Sequence, residues 1–213
     1  KNLGFWKTSN EKITWNFILT DFSELIIQML NQSVDTIKKS ISLTSEINAT
    51  VDSIVNSIQN GNKLVIFGNG GSAADAQHIS AELIGRYKLE RKSFPAISLT
   101  TDSSIITSLS NDYSYDIIFA RQCESLVLNG DVVLGISTSG NSLNVLEGLK
   151  TSKTKGAITI GLLGNGGGKI KSFVDIPVIV NSNNTARIQE VHRVLYHIIC
   201  ELVEKELVKE NNQ

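Results

Sequence analysis

Two short segments rich in glycine and hydroxyl side chains could together bind a phosphate group. The first is Gly-Asn-Gly-Gly-Ser at residues 68–72, and the second is Ser-Thr-Ser-Gly-Asn-Ser at residues 137–142. Each follows an apolar run and precedes a helical pattern, so free backbone N–H groups and the positive end of a helix dipole would face the ligand. Ser72 could also cap the helix that follows. Capping alone could explain one hydroxyl-rich turn, but two such turns in one sheet favour an anion site.

Other phosphate-binding motifs fit the sequence poorly. Residues 68–73 satisfy the loose glycine pattern of a dinucleotide-binding turn, which expects an acidic residue about 20 residues further on. The next predicted strand ends only at Asp102, which is too late. A third glycine run at residues 164–169 lacks the terminal Ser or Thr of a Walker loop and is interpreted as a plain turn.

The chain contains three histidines, and their spacing suggests a metal site or an acid/base pair. His78 and Glu82 are four residues apart on a predicted helix and share one face of it. Gln189, His192 and His197 lie on a later helix, where about 100° per residue separates the two histidines by about 140°. Both cannot face one site, and spacing alone does not choose between them. Such a group suits a Zn²⁺-like ion or general acid/base catalysis, but it could also be a surface pair beside ordinary helix histidines.

The surrounding segments predict how these residues are positioned. Residues 22–58 have the spacing of one or two amphipathic helices, interpreted as packing or oligomer contacts. Continuous apolar runs that alternate with helical patterns predict strands at residues 64–67, 95–99, 131–137, 157–163 and 176–180. One long helix, residues 186–209, ends the pattern. We therefore expect an α/β fold with a parallel sheet covered on both faces and ligands at the carboxyl ends of its strands.

Length, charge and cysteine content restrict the class of protein. The 213 residues suffice for one α/β domain, and a net charge of −1 argues against coating nucleic acid or an anionic membrane. No apolar run approaches the roughly 20 residues that span a bilayer. Cys123 and Cys200 are expected to be reduced, partly buried thiols of a cytoplasmic protein. Residues 1–21, with Trp6 and Trp15 as candidate anchors, are interpreted as an N-terminal extension of a domain at 22–213.

Longer stretches resemble one family of bacterial enzymes. Residues 68–87, 110–112 and 135–142, and Arg-Ile-Gln-Glu-Val-His at 187–192 with His197 beyond, are similar to the signatures of the phosphoheptose isomerases. The resemblance runs in register over nearly all of the predicted domain. It implies the sugar isomerase (SIS) fold, a Rossmann-like three-layer sandwich with a five-stranded parallel sheet between helices and long terminal helices. It also implies a homotetramer with sites at subunit interfaces.

The resemblance implies an aldose–ketose isomerase acting on a phosphorylated heptose. Members of the family convert D-sedoheptulose 7-phosphate to D-glycero-D-manno-heptose 7-phosphate through an enediol, the first step of bacterial heptose biosynthesis for lipopolysaccharide or other surface glycans. One alternative is a non-catalytic phosphosugar-binding protein, similar to a replication-initiator-associating relative that lacks the counterparts of Glu82 and His197. Another is the sensing domain of a regulator, although residues 1–60 show no basic helix-turn-helix pattern. A third is an isomerase of another phosphosugar.

The resemblance also implies roles for individual residues. The phosphate would be bound by Ser137, Thr138, Ser139 and Ser142. The rest of the substrate would contact Asn69, Gly70, Gly71, Ser72, Glu82, Asn111, Asp112 and Gln189. One Zn²⁺ per subunit would be held by His78, Glu82, Gln189 and His197. Glu82 and His197 would be the catalytic acid/base pair, which leaves His192 as a structural residue.

Overall fold

A computed structural model describes residues 21–210 as helices packed on both faces of one sheet. The predicted N-terminal extension, with Trp6 and Trp15, lies outside the described residues apart from Asp21. The α-helices within the described range are α1 (Ser23–Lys39), α2 (Thr44–Gln59), α3 (Gly71–Ile84), α4 (Ser103–Asp112), α5 (Ile118–Leu126), α6 (Leu143–Thr154) and α7 (Thr185–Glu210). Short 3-10 turns occur at Ser40–Leu43, Tyr115–Ile117, Asn165–Gly167 and Ile170–Ser172.

The sheet has five parallel strands in the order β2-β1-β3-β4-β5. They are β1 (Leu64–Gly68), β2 (Ala96–Ser98), β3 (Val132–Ser137), β4 (Ile158–Leu163) and β5 (Ile176–Ile179). The strand order reverses between β1 and β3, which is where open parallel sheets bind ligands beyond their carboxyl ends. The two predicted anion-binding turns follow these two neighbouring strands. The structure confirms the predicted α/β three-layer sandwich.

Burial on both faces explains why the strands are continuously apolar. On β1, Leu64 and Ile66 belong to a core cluster shared with α2, α3 and α7. Val65 and Phe67 face the opposite side and pack with α5 and α6, where Phe67 stacks on Phe119 at a centroid distance of 4.8 Å. Alternate positions of one strand thus fill two different cores, so no polar face is needed.

The two cysteines are free thiols, as the sequence predicts. Cys123 and Cys200 are both free and buried. Burial raises the pKa of Cys123 to about 11 and that of Cys200 to about 12, so both remain unreactive thiols near neutral pH. None of the helices within residues 21–210 combines the length and apolar character needed to cross a bilayer.

Candidate active site

The first turn presents glycine backbone at the start of α3. Gly70 has a φ of +55°, a left-handed conformation that favours glycine, and no described heavy atom lies within 4 Å of where its Cβ would be. The prediction that Ser72 caps α3 is wrong, because Gly70 takes the cap position and its carbonyl accepts from the N–H of Ala73 at 3.1 Å. Ser72 instead lies inside the first helical turn and is buried. The turn is therefore open to a ligand on its glycine side.

Asn69 is held by two residues that the sequence did not single out. Asn69 Nδ2 donates to Asn144 Oδ1 at 2.8 Å, and Asn144 Nδ2 donates to Asn69 Oδ1 at 2.9 Å. The Tyr115 hydroxyl donates to the same Asn69 oxygen at 3.0 Å. Because Asn144 is buried in the first turn of α6, these bonds tie the first turn to the helix that follows the second.

Three serine hydroxyls converge in the second turn. Ser137 Oγ lies 3.0 Å from Ser142 Oγ and 3.5 Å from Ser139 Oγ. Thr138, between Ser137 and Ser139 in the chain, is half-buried. Ser142 occupies the N-cap position of α6, yet within the described residues its side chain makes no capping hydrogen bond. Ser139 Oγ also accepts the Asn141 N–H at 3.1 Å, but the Ser137 and Ser142 hydroxyls face each other rather than the helix end, so capping of α6 does not explain that pair. The arrangement suits an anion that accepts several hydrogen bonds at the N-terminus of α6.

The third glycine run supports the second turn from behind. Gly140 has a φ of +65°, and a Cβ there would lie 2.2 Å from the backbone of Gly167. The Ile170 N–H donates to the Gly140 carbonyl at 3.0 Å, and the Lys169 N–H donates to Asn141 Oδ1, also at 3.0 Å. The run is a turn, as interpreted from sequence, and it also fixes the backbone of the serine-rich turn.

Asn111 and Asp112 lie exposed at the end of α4, where Asn111 Nδ2 donates to Asp112 Oδ1 at 2.8 Å. Tyr115 follows them closely in the chain and reaches Asn69 in the first turn. Tyr115 thereby connects this segment to the first turn, whereas the hydrogen bond of Asn111 and Asp112 is internal to that pair.

His78, Glu82 and His197 form a compact cluster between α3 and α7. His78 Nε2 lies 2.9 Å from Glu82 Oε1 and 3.4 Å from His197 Nε2, and the candidate ligand atoms of all three residues lie within 4.8 Å of one another. Two ligands at the usual Zn–N and Zn–O distances of a tetrahedral site are about 3.3 Å apart. The imidazole and carboxylate groups therefore fit a zinc ion in type and spacing.

The environment of His197 favours a neutral ring. Burial, followed by the nearby imidazole of His78, lowers the pKa of His197 below its usual range. A neutral imidazole is the form that binds a metal or accepts a proton.

Gln189, on α7, lies beside the first turn. Its amide lies so close to Gly71 that a Cβ on Gly71 would be 2.5 Å from Gln189 Nε2. Together with Asp75, Glu190 and Arg193, these residues line one pocket. The structure thus brings together the predicted zinc ligands His78, Glu82 and His197, and it places the Gln189 amide at the glycine turn, on the same helix as His197.

His192 points away from the cluster, as the resemblance implied. It is fully buried, and its Nε2 donates to the Leu163 carbonyl at the end of β4 at 3.1 Å. Burial lowers the pKa of His192 to about 4, so the ring is neutral near pH 7. Its position identifies His192 as a packing residue.

A buried ion pair anchors the end of α3, which carries Glu82. Arg91 Nε donates to Glu204 Oε1 at 3.0 Å, and both side chains are almost completely buried. The Arg91 guanidinium also donates to the carbonyls of Glu82 at 2.9 Å and Leu83 at 2.8 Å. Glu204 additionally accepts the backbone N–H groups of Tyr87, Lys88 and Leu89. Nothing in the sequence spacing indicated this pair, because it joins the loop after α3 to the distant helix α7.

Comparisons with known proteins identify the family. The SIS domain family matches residues 28–164. The chain is 54% identical to a phosphoheptose isomerase of Geobacter sp. (strain M21), over 80% of this chain and 88% of that protein. It is 51% identical to the phosphoheptose isomerase of Synechocystis sp. (strain ATCC 27184 / PCC 6803 / Kazusa), over 89% of this chain and 95% of that protein.

A solved structure agrees with these sequence relatives. The phosphoheptose isomerase of Neisseria gonorrhoeae superimposes with a TM-score of 0.83 at 35% identity, covering 87% of this chain and all of that one. Fold, identity and coverage therefore agree along nearly the whole described range. The chain belongs to the SIS-domain proteins and, among them, to the phosphoheptose isomerase family of enzymes.

Proposed function

We propose that this enzyme interconverts D-sedoheptulose 7-phosphate and D-glycero-D-manno-heptose 7-phosphate, as an aldose–ketose isomerase of bacterial heptose biosynthesis. The observation that carries the proposal is the cluster of a carboxylate and an imidazole, Glu82 and His197, between α3 and α7. The family name of its relatives supports a phosphorylated heptose as the substrate.

The serine-rich turn is proposed to bind the phosphate. Ser137, Ser139 and Ser142 offer hydroxyl donors close to one another, and the α6 N-terminus offers backbone N–H groups and a favourable dipole. Thr138 completes the proposed set. The open glycine turn at residues 69–71, with Ser72, Asn111, Asp112 and Gln189, is proposed to contact the sugar.

The reaction requires two coupled proton movements. The Glu82 carboxylate is proposed to remove the proton from C1 of the ketose and return it to C2 of the enediol. His197 is proposed to move the hydroxyl proton from O1 to O2, so that the C2 carbonyl becomes a hydroxyl while C1 becomes the aldehyde. Both groups end in their starting protonation states, so neither an oxidant nor a reductant is consumed.

A zinc ion fits the same cluster. His78, Glu82 and His197 are proposed to hold it, with the Gln189 amide oxygen as the fourth ligand, and the ion when bound would polarise the substrate carbonyl. His78 has no proton-transfer role in this scheme and serves to hold and orient.

A homotetramer is proposed from the surface of α1. This helix and the turn after it expose large apolar side chains, which monomeric proteins rarely show in such numbers on one surface: Phe22, Leu25, Ile26, Ile27, Met29, Leu30, Val34, Ile37 and Ile41. Further copies of the chain would cover these apolar side chains, on a surface that continues to the start of α7. In this proposal residues 22–213 are the SIS domain, residues 1–21 are its extension, and the protein is cytoplasmic, which its two free cysteines support.

The Glu82→Gln variant tests the catalytic assignment. Proton exchange between substrate and D₂O at C1 and C2 should be lost, while binding of sedoheptulose 7-phosphate is retained, because the amide keeps the shape but cannot act as the base. The matched control is Glu90→Gln, an exposed carboxylate just beyond the end of α3. Near-normal exchange in Glu82→Gln would contradict the proposed role.

A further inference from the structure

The hydroxyl of Tyr196 lies where it can control the proton on His78. It is 3.2 Å from His78 Nδ1 and 3.4 Å from Asp75 Oδ1. Arg193 Nε donates to the hydroxyl oxygen at 3.1 Å, and Arg193 Nη2 donates to Asp75 Oδ1 at 3.1 Å. Tyr196 is 1% exposed and Asp75 is 2% exposed, so both side chains are almost completely buried.

Counting protons shows why both neighbours of the hydroxyl matter. A neutral imidazole carries one N–H, and a phenol can donate only one hydrogen bond. When the His78 proton is on Nε2, it faces Glu82 Oε1 and leaves Nδ1 to accept from Tyr196. When Nε2 binds a cation, the proton must be on Nδ1, and the Tyr196 oxygen must accept it. The hydroxyl proton then needs another acceptor, which Asp75 provides.

We propose that Asp75 and Tyr196 form a hydrogen-bond relay that holds His78 in the tautomer that binds metal through Nε2. The inference rests on the metal site of the proposed function and extends it to residues that do not touch the ion. Arg193 keeps the relay in place through its charge on Asp75 and its bond to the hydroxyl. Metal-bound histidines generally donate their other N–H to such a partner, and losing that partner weakens metal affinity by about 10–100-fold.

A purely structural role for Tyr196 makes a different prediction. Its ring packs against His78 and His197 at centroid distances of 5.4 and 4.7 Å, and phenylalanine would keep that packing. If the hydroxyl only satisfied a buried polar group, Tyr196→Phe would change thermal stability and leave metal affinity unaltered. The relay predicts a loss of metal affinity in a protein that still folds.

The test is a zinc titration of the metal-free full chain against a competing chromogenic chelator. We expect Tyr196→Phe to bind zinc about 10-fold or more weakly, and Asp75→Ala, which removes the acceptor for the hydroxyl proton, to lose affinity in the same direction. Tyr87→Phe is the matched control, because its ring lies 5.9 Å from His197 but its hydroxyl is not part of the relay. Its zinc affinity should equal that of the unaltered chain.

A second readout follows the proton itself. With three histidines in the sequence, ¹⁵N NMR can assign each ring. The zinc-loaded protein should show a His78 Nδ1–H that exchanges slowly with water, and this proton should exchange faster in Tyr196→Phe.

The outcomes separate the relay from the metal site. Unaltered affinity and exchange in Tyr196→Phe would overturn the relay and leave the metal site intact. Failure of the unaltered chain to bind zinc would overturn the metal site and the relay with it. Should Tyr196→Phe fail to fold, Asp75→Ala decides, since affinity equal to that of the unaltered chain contradicts the relay.

Discussion

The Nε2 atoms of His78 and His197 lie 3.4 Å apart, although the two residues belong to different helices. Two imidazole nitrogens approach this closely when one donates to the other or when both face a cation. The Glu82 carboxylate, 2.9 Å from His78 Nε2, adds negative charge to the same point. Packing of α7 on α3 therefore creates a site that neither helix has alone.

Zinc should stabilise the folded protein. Ligand at 100 times its dissociation constant contributes about 2.7 kcal/mol, which corresponds to a rise in Tm of about 5–10 °C for a chain of this length. Differential scanning calorimetry with and without zinc measures this shift. His78→Ala should abolish it, and Glu124→Gln, an exposed carboxylate on α5, should not. A shift that persists in His78→Ala would show that zinc binds elsewhere.

Ser142→Ala should impair phosphate binding without affecting stability. Its hydroxyl faces Ser137 rather than the end of α6, so Tm should change by less than about 1 °C, whereas a used cap contributes about 1 kcal/mol. Hydrogen bonds to a charged group are stronger, so KM should rise by about 10–100-fold.

Asp102→Ala provides the contrast for stability, because Asp102 Oδ1 does cap α4 by accepting from the Ile105 N–H at 2.9 Å. Its Tm should fall by about 2–4 °C. A Ser142→Ala variant that melts as early as Asp102→Ala would show that the hydroxyl supports the helix after all.

Glu204→Gln should be strongly destabilising. Removing one charge of a buried pair leaves Arg91 uncompensated, at a cost of about 3–5 kcal/mol in the free energy of unfolding. Glu201→Gln, on the same helix, should have little effect because that carboxylate pairs with Lys88 and Lys205 at the surface. Urea unfolding of both variants measures the difference, and equal destabilisation would contradict the proposed anchoring of the α3 end.

His192 should make the protein less stable in mild acid. Its pKa is about 4 in the folded state and near 6.5 in the unfolded chain. Below pH 6.5 the unfolded chain therefore binds a proton that the folded chain does not bind. Stability from this group is full above pH 6.5 and falls as pH drops to 4, by up to about 3 kcal/mol. Unfolding free energies of the unaltered chain and His192→Gln should converge over this interval, and a constant difference would refute the assignment.

Local patterns were sufficient to predict the sheet and part of the site. The buried strands are continuous apolar runs, and the i, i+4 spacing of His78 and Glu82 required only that α3 be a helix. The cap position of α3 was predicted wrongly at Ser72, because Gly70 adopts a backbone conformation that the glycine pattern permits but does not specify.

Contacts between distant segments could not be read from the sequence. Spacing left His192 and His197 equivalent, and only the packing of α7 separates the buried ring from the one beside His78. The role of Tyr196 could not be predicted for the same reason, since it depends on contacts with residues of α3 across the helix interface. The position of Asn144 in the first turn of α6 does not predict that its amide pairs with that of Asn69.

The most direct measurement is an NMR assay of the purified chain on sedoheptulose 7-phosphate, with fructose 6-phosphate and arabinose 5-phosphate as competing substrates. We expect interconversion with the aldoheptose 7-phosphate, loss of turnover after chelation with recovery on adding zinc, and much slower reaction of the shorter sugars. Binding without turnover, or a preference for a shorter phosphosugar, would contradict the central claim that Glu82 and His197 isomerise a phosphorylated heptose.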